Sequence, residues 1–79
     1  MIIQVDKSIR HYFGEQKYYN GYVSEKELDD CIEMTFITTS LEGFTRWYVM
    51  FGDKSRIISP VSLKNMVAQL AQATLKNLK

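Results

Sequence analysis

Apolar and polar positions recur along this chain at two different periods. From Cys31 to Thr38, Ile32, Met34 and Phe36 fall on one side, while Glu33, Thr35 and Ile37 fall on the other. A period of two is that of a strand with one buried face. Ile2-Ile3-Gln4-Val5 repeats the pattern, with Ile3 and Val5 on one face. Tyr22 to Leu28 predicts another strand, and Glu25, Lys26 and Glu27 give it the charged character of a sheet edge. A short strand is expected from Ser55 to Ser59.

Between these stretches the period lengthens to that of a helix. Ile9, Tyr12 and Phe13 form the expected buried side of a first helix, with Asp6 or Ser8 as its cap. Gly14 weakens that helix, Asn20-Gly21 marks a turn, and Asp29-Asp30 makes a tight connection. Leu41, Phe44, Trp47, Tyr48 and Phe51 recur at three- and four-residue spacing. Thr39 with Glu42 reads as the capping box of that helix, and Gly52 as its left-handed end. Pro60 fits the first turn of a final helix capped by Ser59, with Leu63, Met66, Val67, Leu70, Thr74 and Leu78 along one stripe.

The resulting order predicts an α+β fold: a ferredoxin-like βαββαβ antiparallel sheet with an additional C-terminal helix. Its structural core is expected at Phe36, Phe44, Trp47, Phe51, Gly52, Pro60 and Leu63. No linker, repeat or low-complexity tract interrupts residues 1–79, which read as one domain.

Composition narrows the function classes. A chain of 79 residues is near the lower end of what one apolar core holds together, but 46% hydrophobic residues supply that core. A net charge of +1 gives no global field for nucleic acid or an anionic membrane. One cysteine, Cys31, leaves no internal disulfide and no multi-cysteine metal site, which fits a reducing, cytoplasmic setting. No apolar run reaches the length of a membrane span.

Candidate chemistry is sparse. Arg10, His11, Lys17, Tyr18, Tyr19 and Tyr22 interleave cations with aromatics, the mixture used by surfaces that track a phosphate backbone and stack bases. The same mixture suits an ordinary helix end and hairpin entry. Arg46 beside Trp47 pairs a phosphate-binding side chain with a stacking ring, although a lone Trp on an amphipathic helix is usually core. His11 has no spaced partner that would make it a base or a ligand. Lys54 and Arg56 near Gly52 offer a weak anion site and read more simply as a solvated turn. Glu25, Glu27, Asp29 and Asp30 lack the ligand alternation and central glycine of a calcium loop. Cys31 reads as a structural thiol. No metal, cofactor or catalytic set is expected.

One stretch carries a resemblance. Asp29-Asp30, then Ile32, Met34 and Phe36, then Arg46-Trp47-Tyr48-Val49-Met50-Phe51-Gly52, and finally Ile57-Ile58-Ser59-Pro60 with Leu63 follow one family pattern in type and spacing. In these residues the chain resembles the WCX domain, the carboxy-terminal extension of bacterial WYL-type transcriptional regulators. The likeness covers nearly the whole chain. It departs at Tyr18-Tyr19-Asn20-Gly21-Tyr22, where the family often carries W-H-P-S-Q, and in lacking a closing tyrosine. Trp47-Tyr48-Val49 also looks like the tripeptide that names the WYL domain. There the tripeptide belongs to a strand, whereas here helix signals surround it.

The resemblance implies a piece of a longer regulator whose DNA contacts come from a separate helix-turn-helix domain. It further implies a homodimer, and an effector that is a small molecule or single-stranded nucleic acid. The leading expectation is therefore a non-catalytic regulatory domain contributing to dimerisation and effector sensing. Direct ligand or single-stranded nucleic-acid binding through Arg10–Tyr22 comes second. A small enzyme comes last, because no acid–base or nucleophile–base pair is visible.

Overall fold

The computed structural model of the chain describes residues 1–78. Its elements are β1 (Ile2–Asp6), α1 (Arg10–Phe13), α2 (Gln16–Tyr19), β2 (Tyr22–Glu27), β3 (Cys31–Phe36), α3 (Leu41–Tyr48), β4 (Ser55–Ser59) and α4 (Val61–Asn77). Short 3-10 turns at Lys7–Ile9 and Val49–Lys54 join β1 to α1 and α3 to β4. The strands form one antiparallel sheet in the order β2-β3-β1-β4. β3 therefore lies between β1 and β2, although the helical connection joins those two in sequence.

Alternation along the central strands sets the buried face. Ile3 and Val5 stand opposite Met34 and Ile32 in the β1–β3 register, and all four are buried. Phe36, Phe13, Phe44, Tyr48, Phe51 and Leu63 complete the core. Phe36 meets Phe44 edge-to-face at 5.1 Å between ring centres, a geometry that aromatic pairs prefer. On the other sheet face, Gln4 and Glu33 are paired across β1 and β3, and the Gln4 carboxamide donates to the Glu33 carboxylate at 3.1 Å.

The strand bounds agree closely with the periodicity, whereas several helix ends do not. Ser40, rather than Thr39, caps α3: its hydroxyl accepts the Gly43 N–H at 3.1 Å. Burial of Phe44 and Tyr48 fixes which turn faces the sheet, and among three adjacent hydroxyl residues that choice selects the cap. Gly52 is not a left-handed helix end; among the described residues positive φ occurs only at Gly14 and Gly21. α3 stops at Tyr48, and the chain kinks at Phe51 (φ −133°, ψ 20°), which buries that ring against Trp47 and Phe13. Packing of Phe51 ends the helix.

The first helix is shorter than expected. Gly14 takes φ +41° and separates α1 from α2, so Tyr12 projects to solvent while Ile9 and Phe13 remain buried. Pro60, not Ser59, is the cap residue of α4; its extended backbone offers a carbonyl to the N–H groups of Leu63 and Lys64. The Ser59–Pro60 peptide is cis. The α4 stripe holds only in its first turns: Leu63 is buried, Met66, Val67 and Leu70 are half-buried, and Thr74 and Leu78 are exposed. A 17-residue helix is about 25 Å long and outruns the sheet that it covers.

Candidate regulatory surfaces

The cation–aromatic surface forms where α1 and α2 pass over the edge strand. Glu25 and Glu27 stand opposite Met34 and Ile32 in the β2–β3 register, so both point towards the helix side of the sheet. Arg10 reaches Glu27 from α1, and Lys17 reaches Glu25 from α2 at 2.9 Å. The Tyr22 hydroxyl also donates to Glu25 at 3.1 Å, and Lys17 Nζ lies 4.5 Å from the centre of the Tyr22 ring. Tyr18 meets Tyr22 edge-to-face at 5.3 Å.

These contacts move the titrations of both charged partners. The hydrogen bond between them holds the Glu25 carboxyl below the ordinary carboxylate range and raises Lys17. Partial burial pushes the Tyr22 phenol up, and the neighbouring Glu25 adds to that shift. Arg10 holds Glu27 low in the same way. The cations that give this surface its basic appearance in the sequence are therefore balanced by carboxylates of the adjacent strand. Lys17, Tyr18 and Tyr22 come together here. Tyr19 is exposed next to them, and His11 packs on Tyr12 at 4.4 Å between ring centres.

Arg46 lies apart from this group. It sits on α3, approaches Glu42 at 3.5 Å, and lines a groove with Val49, Leu70, Ala71, Thr74 and Leu75. This groove of about 640 Å³ runs between α3 and the far half of α4. Leu75 is 63% and Leu78 75% exposed. Of the residues expected in the core, Phe36, Phe44, Phe51 and Leu63 are buried, Trp47 is half-buried against them, and Gly52 and Pro60 are half-buried.

The half-exposure of Trp47 opens a second recess, of about 350 Å³, lined by Tyr12, Phe13, Gln16, Trp47, Met50 and Phe51. The indole Nε1–H donates to Gln16 Oε1 at 3.3 Å. Gln16 and Met50 carried no signal in the sequence, because only the folded chain brings α2 against the end of α3. Lys54 and Arg56 share a polar cleft with Asp6, Asp30 and Asp53, so that cleft is of mixed charge and does not select anions. Cys31 lies in the same cleft, where burial and then the Asp30 carboxylate push its thiol pKa up.

Among the described residues, no group of three or more histidine, cysteine or acidic side chains is placed to hold a metal ion. No helix among them is long and apolar enough to cross a membrane. Neither curated proteins nor solved structures yield a match to the chain. The family model for the WCX domain, however, matches residues 2–75. That span begins in β1 and ends within α4, and so takes in every strand of the sheet and the aromatic core above it. The chain belongs to the WCX domain family.

Proposed function

We propose that this domain is a non-catalytic regulatory module of a WYL-type bacterial transcriptional regulator, acting in dimerisation and effector sensing. Family membership supports the regulatory setting. In that setting a separate helix-turn-helix domain contacts DNA and the regulator works in the cytoplasm. The strand order, with β3 between β1 and β2, supports reading the architecture as a ferredoxin-like split βαβ unit.

One observation carries the dimerisation reading: the far half of α4 holds Leu75 largely in solvent across an open groove from Val49, and Leu78, just past the end of the helix, is exposed too. Large apolar side chains grouped on one surface mark an interaction site. The edge strand β2 is the weaker contender, because Glu25, Lys26 and Glu27 charge it against pairing. Light scattering across a dilution series tests this. A dimer at micromolar concentration that a Leu75→Lys, Leu78→Lys variant converts to monomer is the expected result. A wild-type monomer throughout would remove the dimerisation role from this domain.

A second reading places ligand or single-stranded nucleic-acid binding on the Arg10–Tyr22 surface. It draws on the exposure of Tyr18 and Tyr19 beside Lys17. The pairing of Arg10 and Lys17 with Glu27 and Glu25 weakens it, since a phosphate backbone would have to compete with both carboxylates. Titration of a short fluorescent oligonucleotide into wild type and an Arg10→Ala, Lys17→Ala variant decides it. Salt-sensitive binding lost in the variant supports this reading, and its absence in the wild type ends it.

A further inference from the structure

The recess beside Trp47 is built differently from the other surfaces of the molecule. Its inner wall is made of Phe13 and Phe51, both buried. Tyr12 and Met50 also line it, and they are 60% and 69% exposed, so the recess opens to solvent on their side. Trp47 contributes one wall while its ring is fixed by edge-to-face contacts with Phe13, Phe36, Phe44 and Phe51. None of the six lining residues is charged.

Gln16 gives the recess a polar handle of known orientation. An indole N–H is only a donor, so the atom facing it must be the Gln16 carboxamide oxygen. The amide NH₂ of Gln16 then has two N–H groups and no partner among the described hydrogen bonds. The oxygen retains a second lone pair. Donor and acceptor stand side by side at the mouth of an aromatic recess.

We propose that this recess binds a neutral, planar heteroaromatic molecule of one or two fused rings. The ring packs among Tyr12, Trp47 and Met50, and an edge that carries both a donor and an acceptor pairs with the Gln16 carboxamide. The volume, about 350 Å³, lies at the small end of the range for ligand sites. An anion is disfavoured because it would lose hydration without gaining a counter-charge, and a neutral ring edge is favoured because it uses both the donor and the acceptor of Gln16. Aromatic walls favour a planar ring over a saturated one of equal size. The inference rests on the effector-sensing part of the proposed function and supplies it with a site and a ligand class. A ligand held here touches α3, the helix whose other flank packs against α4.

Trp47 is the only tryptophan, so its indole N–H gives a single, assigned signal in a nitrogen–proton correlation spectrum. Isocarbostyril, a neutral fused bicycle with a lactam donor and acceptor, is the probe; cyclohexanecarboxamide is the saturated control. The expected result is a saturable shift of the Trp47 signal with isocarbostyril and none with the control. Replacing exposed Gln16 by Ala should weaken binding about 5-fold, the value of one neutral hydrogen bond, while core methyl signals stay in place. No saturable shift, an equal response to the saturated control, or unchanged affinity in Gln16→Ala would overturn the site. A chain that dimerises but does not bind the probe loses this inference alone. A monomer that binds it loses the dimerisation reading and keeps the site.

Discussion

Gly21 and Ile37 meet backbone to backbone. A Cβ on Gly21 would lie 1.8 Å from the Ile37 carbonyl oxygen, and the Ile37 N–H donates to the Gly21 carbonyl at 2.8 Å. Gly21 also holds φ +87° at the entry to β2. This contact ties the start of the edge strand to the residue that follows β3. Gly21→Ala is expected to cost about 4 kcal/mol or more, because the clash is with backbone that cannot rotate away. Gly21→Asn should fail as badly, although asparagine tolerates positive φ. Urea denaturation of both variants checks this. An Asn variant close to wild type would mean that turn geometry, and not close approach, is the constraint.

Gly52 should behave in the opposite way. Its φ is not positive, and an added Cβ would sit 3.5 Å from Tyr48 Cε2, an ordinary contact. Gly52→Ala is therefore expected to change stability by less than about 0.5 kcal/mol. A loss several times larger in thermal unfolding would restore the helix-ending role that the sequence suggests.

The Lys17–Glu25 pair should give stability a defined pH dependence. Glu25 has a lowered pKa, so its contribution is present above the unfolded carboxylate value and disappears as pH falls through the folded one. Lys17 has a raised pKa, so its contribution persists below the unfolded amine value and disappears as pH rises through the folded one. The pair thus supports the fold across the neutral range. Glu25→Gln should lower the melting temperature at neutral pH, and the gap to wild type should close in acid. A gap that stays constant from neutral to acid pH would show that the side chain acts through shape alone.

Cys31 should react slowly. Burial and the adjacent Asp30 raise its pKa, and the thiolate is the nucleophile. Alkylation by iodoacetamide at neutral pH is expected to be slower than that of free cysteine, and Asp30→Asn should accelerate it. A rate equal to that of free cysteine, unchanged in Asp30→Asn, would show that the cleft does not suppress the thiolate.

Much of the candidate surface was readable as a list of residues and unreadable as a place. Arg10, Lys17, Tyr18 and Tyr22 stand out as cations among aromatics, yet their charge is balanced by Glu25 and Glu27. Those carboxylates turn towards the helices only because of the β2–β3 register. Arg46 looked like a companion because it adjoins Trp47, but consecutive residues on a helix point about 100° apart. Trp47 turns to Gln16 while Arg46 turns to α4.

The sequence by itself determined the strands, their buried faces and the family. Alternation of Ile3 with Val5, and of Ile32, Met34 and Phe36, is a local property with a period of two that one burial face enforces. What only the tertiary structure decided lies at the ends of elements. Ser40 caps α3 in place of Thr39, Phe51 ends it in place of Gly52, and the second half of α4 loses its partner. Each of these depends on where a side chain finds room against a distant segment: Phe44 against Phe36, Phe51 against Phe13, and Leu75 only along an open groove beside α3. Hydrophobic period records which face is buried. It does not record how far the surface that buries it extends.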